Sequence, residues 1–309
     1  MEIAPTSLHT IGNTPLVKLN KIVPEDSADV YIKLEYFNPT GSYKDRMALA
    51  MIEEAEKRGT LKPGMTIVEY TGGSTGSSLA FVCAVKGYAF RVVSSDAFAL
   101  EKLNTMRAFG AELTLIPSDN RQQNKELFDA MVAKAREIAS EENTYWTNQL
   151  ENTDSIEGHK KMGEEIIQQM EGDVDAFCIS VGTAAVLMGV SSAFKEAHCA
   201  SKIVALEPAS SPFLSKGERG SHHVEGIGIG YKPPLLNPKY YDEARGIDEE
   251  LGRETARLMA REEGIFAGIS SGLNTAGALQ LAHELGKGHK VVTVACDTGL
   301  KYLDGDLYI

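Results

Sequence analysis

Short apolar runs alternate with stretches of helical periodicity along the chain. Residues 30–34 (VYIKL) are apolar and β-prone, the turn NPTG follows at 38–41, and residues 45–58 place Ala48, Met51, Ile52 and Ala55 on one helical face. The unit recurs: a strand at 65–69, a turn at 71–76 and a helix at 77–86; a strand at 90–94 and a helix at 100–109; a strand at 112–116 and a helix at 120–139. A helix at 156–170 and strands at 176–180, 203–206 and 291–295 continue the pattern, while 144–154 and 207–234 read as long irregular loops. Strands alternating with helices predict an α/β fold, a parallel sheet with helices on both faces, and right-handed crossovers make such a sheet doubly wound. Ligand sites in open α/β sheets lie at the carboxyl ends of the strands. The Gly/Ser/Thr-rich turns fall at those ends.

Residues 176–194 carry no charge, close to the length a bilayer needs. Ser180, Gly182, Thr183, Gly189, Ser191 and Ser192 dilute the run, which splits into an apolar strand, a turn and a helix-like half. A buried strand–turn–helix is the expectation, with no membrane span.

The chain has 309 residues, enough for two domains or one large one, and its 43% hydrophobic and 24% charged residues are ordinary for a globular protein. With 43 acidic against 31 basic residues the net charge is −12, which argues against nucleic acid or an anionic membrane as partner and leaves room for a local basic pocket. Cys83, Cys178, Cys199 and Cys296 lie in or beside apolar stretches without a CxxC spacing, so they read as buried thiols in a reducing, cytoplasmic compartment. The opening MEIAPTSLHT lacks the features of a secretory signal. Adjacent His222 and His223 face different ways, no HxxxH occurs, and no metal site is expected.

Lys44 is the first chemical anomaly. It opens a predicted helix, where the dipole favours acids. An exposed lysine balanced by Asp45 is the plain reading. A nucleophilic amine, favoured by the dipole, by Arg46 and by desolvation, is the functional one. Thr71-Gly72-Gly73-Ser74-Thr75-Gly76 joins a strand to a helix and offers hydroxyls and amides to a carboxylate or phosphate, or is a tight turn. It is no nucleotide loop, since neither GxxxxGK[ST] nor GxGxxG is present there. Val181-Gly182-Thr183-Ala184-Ala185 offers a second such turn. Glu225–Gly230, with alternating glycines, Gly268–Gly272 and Cys296-Asp297-Thr298-Gly299 complete the set. Two anion turns and an odd lysine suggest a cofactor bearing a phosphate and an aldehyde, with an amino-acid substrate.

Taken in order, these motifs resemble the cysteine synthase (O-acetylserine sulfhydrylase) family of fold-type II, tryptophan synthase β-like, pyridoxal 5'-phosphate enzymes, over nearly the whole chain. NPTGSYKDR looks like the family's NPTGSxKDR, TGGSTG like TSGNTG and VGTAAV like the phosphate loop GTGGT. LEPASSPFLS, EGIGIGYKP, GISSG and DTG also fall in place. The resemblance implies two doubly wound parallel-sheet domains: a smaller mobile substrate-binding domain at 37–147 and a larger cofactor-binding domain of 1–36 plus 148–309. It also implies a homodimer. Lys44 becomes the Schiff-base lysine and the catalytic base. Thr71, Gly72, Gly73, Ser74, Thr75 and Gln149 become the substrate-carboxylate site, with Gly226 also at substrate. Gly182, Thr183, Ala184, Ala185 and Val186 become the phosphate loop, Ser74 approaches the cofactor's 3'-oxygen, and Thr298 meets the pyridine nitrogen. A neutral hydroxyl at that nitrogen suits β-elimination over transamination.

The chain departs from the pattern where Ser74 replaces asparagine, Gly72 replaces serine, and Ala184, Ala185 and Val186 replace Gly-Gly-Thr. Tyr43 replaces a small aliphatic and Leu150 a phenylalanine. The expected activity is β-replacement on O-acetylserine with sulfide, giving cysteine. The alternatives are another activated serine or another nucleophile (cystathionine- or diaminoacid-forming), a serine/cysteine β-lyase, or a non-catalytic relative acting as a binding partner.

Overall fold

The computed structural model describes residues 3–120 and 125–309, and every statement below refers to these. The chain divides into two compact bodies, one made of residues up to Ile11 with Lys44–Gly158, the other of Gly12–Tyr43 with His159–Ile309.

The first body holds α1 (Lys44–Lys57), β3 (Thr66–Tyr70), α2 (Ser74–Lys86), β4 (Ala89–Ser95), α3 (Leu100–Ala108), β5 (Glu112–Ile116), α4 (Lys125–Ala139) and β6 (Thr144–Trp146), after β1 (Leu16–Lys18) and β2 (Asp29–Leu34) of the second. Its sheet runs β5-β4-β3-β6, all parallel. Ile67 and Val92 face a core with Met47, Met51, Leu79 and Met106 from α1, α2 and α3. Val68 and Val93 face a second core with Leu127, Met131 and Ile138 from α4. The alternation of faces along each strand thus feeds helices on both sides. From β3 the chain winds outward to β4 and β5, then returns through α4 to β6 on the other flank of β3. The carboxyl ends of β3 and β6 are therefore a topological switch point, where such folds bind ligands.

The second body continues through α5 (Asp154–Gln169), whose first residues belong to the first body, β7 (Ala176–Ser180), α6 (Ala185–Glu196), β8 (Lys202–Pro208), α7 (Phe213–Lys216), β9 (Glu243–Ile247), α8 (Glu249–Leu258), α9 (Ile269–Leu285) and β10 (Lys290–Ala295). Its sheet order is β1-β2-β10-β7-β8-β9, with only β1 antiparallel. Ala176 and Cys178 face the core under α8 and α9, and Phe177 points the other way to a T-shaped contact with Phe194 of α6. β7 is buried along its whole length, as a strand covered on both faces must be. β10 and β7 form the second switch point, with the chain going out through β8 and β9 and returning through α9.

The expected strands and helices appear with shifted ends, and three strands sit where no run was read. β1, β6 and β9 are all sheet edges. An edge needs no continuous apolar run and benefits from charge: Arg245 of β9 pairs with Glu243 and Glu284. Residues 144–154 are accordingly not all loop. α2 starts at Ser74 rather than 77, because the first turn of a helix tolerates the polar residues of the motif. The expected start of α4 at residue 120 falls partly on 121–124, outside the described residues. Residues 176–194 are β7, a turn and α6, and no described helix is long and apolar enough to cross a membrane. Cys83, Cys178 and Cys296 are buried and Cys199 is half-buried, all as free thiols.

Gly163 lets α5 close on α6: a Cβ there would lie 2.7 Å from Ala193 Cβ and 2.9 Å from Val190 Cα. Gly163→Leu is expected to lose about 2–3 kcal/mol through overpacking, read as a lower urea midpoint. An unchanged midpoint would mean that the helices are not seated this closely.

Candidate active site

In the first body the site grows from the ends of β3 and β6. Lys44 is the first residue of α1 and only 9% exposed, so the exposed-lysine reading is overturned; Asp45 and Arg46 beside it are buried as well. Thr71 follows β3, and its Oγ1 accepts the Gly73 N–H at 3.2 Å. Gly73 precedes α2, whose opening residues are Ser74 and Thr75. N–H groups in a first turn have no carbonyl within the helix to accept them, which suits a carboxylate. Thr75 Oγ1 donates to Gln149 Oε1 at 2.7 Å, and Gln149 Nε2 donates to Tyr70 O at 3.2 Å. Two residues assigned to the substrate carboxylate from positions far apart in sequence are thus joined directly.

Two residues here had no role in the sequence reading. Phe98 is the first. A Cβ on Gly72 would lie 2.1 Å from its ring, so Phe98 fills the space a side chain at 72 would need. Phe98 is itself buried and packs edge-on against Phe128. The signal was divided between a missing side chain and an aromatic one 26 positions later.

Glu69 is the second, and it lies wholly buried in β3. Its Oε1 accepts the Tyr70 N–H at 2.9 Å and Trp146 Nε1 at 3.4 Å. Its Oε2 accepts Thr147 Oγ1 at 2.7 Å and the Gln149 N–H at 2.9 Å. One carboxylate therefore ties the segment before Thr71 to the segment carrying Gln149. Burial pushes its pKa up to about 7, and the four donors oppose that rise. An acid ending an otherwise apolar strand was its only signal in the sequence.

In the second body the turn after β7 is held by neighbours in the sheet. Val181 N–H donates to Leu206 O at 2.9 Å, and Val181 O accepts the Gly228 N–H at 2.9 Å. A Cβ on Gly182 would lie 2.1 Å from Gly226 O, so only glycine allows these two backbones to meet. Gly226 and Gly182, both singled out in the sequence, are brought together. Thr183 Oγ1 accepts the Ala185 N–H at 3.4 Å. Ala184 precedes α6 in the left-handed region, φ 72°, a conformation that costs a non-glycine residue ~1 kcal/mol. It stands where the resembled loop has glycine, and Val186 is already inside α6.

Thr298 follows β10. Its N–H donates to Gly41 O at 3.0 Å, and Tyr43 N–H donates to Cys296 O at 3.0 Å. Gly41 has φ 70°, and a Cβ there would lie 2.8 Å from Thr298 Cγ2. The stretch running directly into Lys44 is therefore laid along the segment that carries Thr298. Thr298 Oγ1 accepts the Leu300 N–H at 3.3 Å, which leaves its own proton to donate.

Three comparisons show which known proteins the whole chain is similar to. A family model described as pyridoxal-phosphate dependent enzyme matches residues 8–297. A cysteine synthase of Staphylococcus aureus (strain Mu50) is 46% identical over 300 residues, covering 96% of this chain and 95% of that one. Among solved structures, O-ureido-L-serine synthase superposes with a TM-score of 0.92 at 36% identity, covering 99% of this chain and 96% of that one. A cysteine synthase from Entamoeba histolytica superposes with a TM-score of 0.92 at 32% identity, covering 99% and 91%.

The Glu69 carboxyl binds its proton more tightly in the folded chain than at its ordinary value of 4.5. Its contribution to stability is therefore complete below pH 4.5 and is lost as pH rises through about 7. Relative to Glu69→Gln, whose side chain stays neutral, the wild type is expected to lose ~2–3 kcal/mol between about pH 5 and about pH 8. Urea unfolding of both chains at the two pH values checks this, and a constant difference would reject a raised Glu69 pKa.

Proposed function

The chain belongs to the pyridoxal-phosphate-dependent enzyme family, and from that premise we propose that it makes cysteine from O-acetylserine and sulfide by β-replacement. The observation that carries the reading is Lys44: buried, opening α1, and continuous with a stretch hydrogen-bonded to the Cys296–Thr298 segment. Pyridoxal phosphate, when bound, draws electron density from Cα of an attached amino acid, so that a proton leaves Cα and a leaving group leaves Cβ.

The residues fit that group. Lys44 supplies a primary amine for the aldehyde. The turn of Gly182, Thr183, Ala184 and Ala185, with Val186, supplies backbone N–H groups at the head of α6 for the phosphate, and Gly226 O excludes a side chain from it. Thr298 supplies a neutral hydroxyl with a proton to donate to a ring nitrogen. Ser74, in the first turn of α2, supplies a second hydroxyl for the cofactor's 3'-oxygen.

Thr75 and Gln149, with Thr71, Gly72, Gly73 and the head of α2, hold the substrate carboxylate and so orient Cα. Lys44 Nζ removes the Cα proton as a general base and returns it after sulfide has added at Cβ. In this reading the body of Lys44–Gly158 binds substrate, the body of Gly12–Tyr43 and His159–Ile309 binds cofactor, and the chain works as a cytoplasmic homodimer. The family resemblance and four free cysteines support these last assignments.

A second reading, β-replacement with a different nucleophile, is favoured by the Gly72–Phe98 exchange beside the carboxylate residues and by the likeness to O-ureido-L-serine synthase. The visible spectrum separates the two. The purified protein is expected to be yellow, to change its absorption on addition of O-acetylserine, and to revert on sulfide with release of cysteine. Reversion only with another nucleophile would select the second reading. Lys44→Ala is expected to abolish both the spectral change and turnover, and retained turnover would reject the lysine assignment.

Gly182→Ala is expected to weaken cofactor affinity about tenfold or more, because the loop must move by a fraction of the distance that positions a bound group. Gly305→Ala, whose Cβ would meet nothing nearer than 3.5 Å, is the comparison variant. Equal affinities in the two would show that the Gly182–Gly226 approach does not shape the site.

A further inference from the structure

In the first body β6 ends at Trp146, and the chain runs on through Thr147 and Asn148 to Gln149. The first step is still tied to β3, since Thr147 N–H donates to Val68 O at 3.1 Å. That bond and the strand pairing before it set the width between β3 and β6. Asn148 then takes a left-handed backbone, φ 46°, which turns the chain before Gln149. What fixes the place of Gln149 lies beyond the ladder.

Thr75 Oγ1 gives its proton to Gln149 Oε1 at 2.7 Å. Gln149 Nε2 carries two hydrogens and directs one to Tyr70 O at 3.2 Å. The second is the hydrogen that this pair of side chains can offer to a carboxylate. Its direction depends on where the Gln149 backbone and the Tyr70 carbonyl stand. Both trace to Glu69, wholly buried in β3. The Gln149 N–H donates to Glu69 Oε2 at 2.9 Å, and the Tyr70 N–H donates to Glu69 Oε1 at 2.9 Å. Thr147 Oγ1 adds a donor to Oε2 at 2.7 Å. A carboxylate accepts at both oxygens and donates at neither, so it suits converging N–H groups, and bonds to a charged acceptor are the stronger kind. A glutamine at 69 would set its own N–H groups against one of these donors.

We propose that Glu69 is a positioning residue for the substrate carboxylate: by accepting the N–H groups of Gln149 and Tyr70 it aims the second Nε2 hydrogen of Gln149 at the carboxylate held by the head of α2. The proposal rests on the substrate assignment made above for Thr75, Gln149 and that turn. Glu69 itself touches no substrate atom. Its effect is therefore confined to ligands that carry the carboxylate.

The test uses the full-length holoenzyme at about pH 8, above the value of about 7 to which burial pushes the Glu69 carboxyl. L-serine and L-serine methyl ester, which differ at the carboxylate, are titrated and followed by the visible absorption of the cofactor. Glu69→Gln is expected to weaken L-serine about tenfold or more, while the ester stays within about twofold of its wild-type affinity. Unchanged L-serine affinity would overturn the proposal. A parallel loss of both ligands would overturn it too, since Glu69 would then support the site as a whole rather than aim one donor. A wild-type holoenzyme whose absorption responds to neither L-serine nor O-acetylserine would reject the amino-acid reading itself, before any variant is made.

Should Glu69→Gln fail to fold, amide exchange on the wild-type holoenzyme still decides the matter. Gln149 lies outside any strand, and its N–H has the Glu69 carboxylate as acceptor. It is expected to exchange as slowly as the Tyr70 N–H inside β3, and rapid exchange would overturn the positioning role.

Discussion

A doubly wound sheet reverses its winding once, and the two strands at the reversal send their following connections in opposite directions. They must diverge at their carboxyl ends, and their facing backbone groups lose each other as partners. The rest of this molecule is built around that constraint, which it meets twice. In the first body, β3 and β6 are paired only through Val68 and Trp146, and the Glu69 carboxylate takes up the donors beyond: the N–H groups of Tyr70 and Gln149, and the side chains of Trp146 and Thr147. In the second body, Asn274 does the same between β7 and β10. Each split is bridged by buried polar side chains: Glu69 in the first, Asn274 and Thr293 in the second.

The two solutions differ in chemistry because the groups to be satisfied differ. At the β3–β6 split four donors converge and no acceptor is among them, so an acceptor-only carboxylate fits. At the β7–β10 split an N–H faces a carbonyl, so an amide, which accepts with one atom and donates with the other, fits. Charge placed in the first split carries a desolvation cost, visible as the raised Glu69 pKa. The neutral amide in the second carries no charge to desolvate, and its hydrogen bonds offset the burial of a polar group.

Much of this was legible in the sequence, and the limits have physical causes. Buried parallel strands such as β7 and β10 announce themselves by unbroken apolar runs. The glycine-rich turns at their ends mark where backbone must approach backbone, as Gly182 does at Gly226. The edge strands β1, β6 and β9 were not legible, because half-solvated strands need no such run. Glu69 and Asn274 escaped for another reason: Glu69 is one acid ending an apolar strand, Asn274 is one polar residue among several at the start of α9, and the meaning of each depends on which strand ends it meets. The link between Thr75 and Gln149 was suggested by family resemblance alone, since no local pattern joins positions so far apart.

The departures from the family pattern fall into two kinds once their surroundings are known. Gly72 is compensated: the volume of the absent side chain is taken by Phe98, so a hydroxyl beside the carboxylate residues has become an aromatic edge. Such an exchange puts an apolar edge where the family pattern has a polar group, while leaving the packing whole. Ala184 is uncompensated, since it keeps the left-handed backbone that glycine adopts freely. Strain of that size persists only where surrounding bonds over-determine the turn. Here those bonds run from Val181 to Leu206 and Gly228, and through Asn274 to the strand end behind them. The turn thus holds Ala184 in a left-handed backbone because its course is set by Gly182 against Gly226 O and by the sheet bonds beneath it, rather than by a glycine at 184.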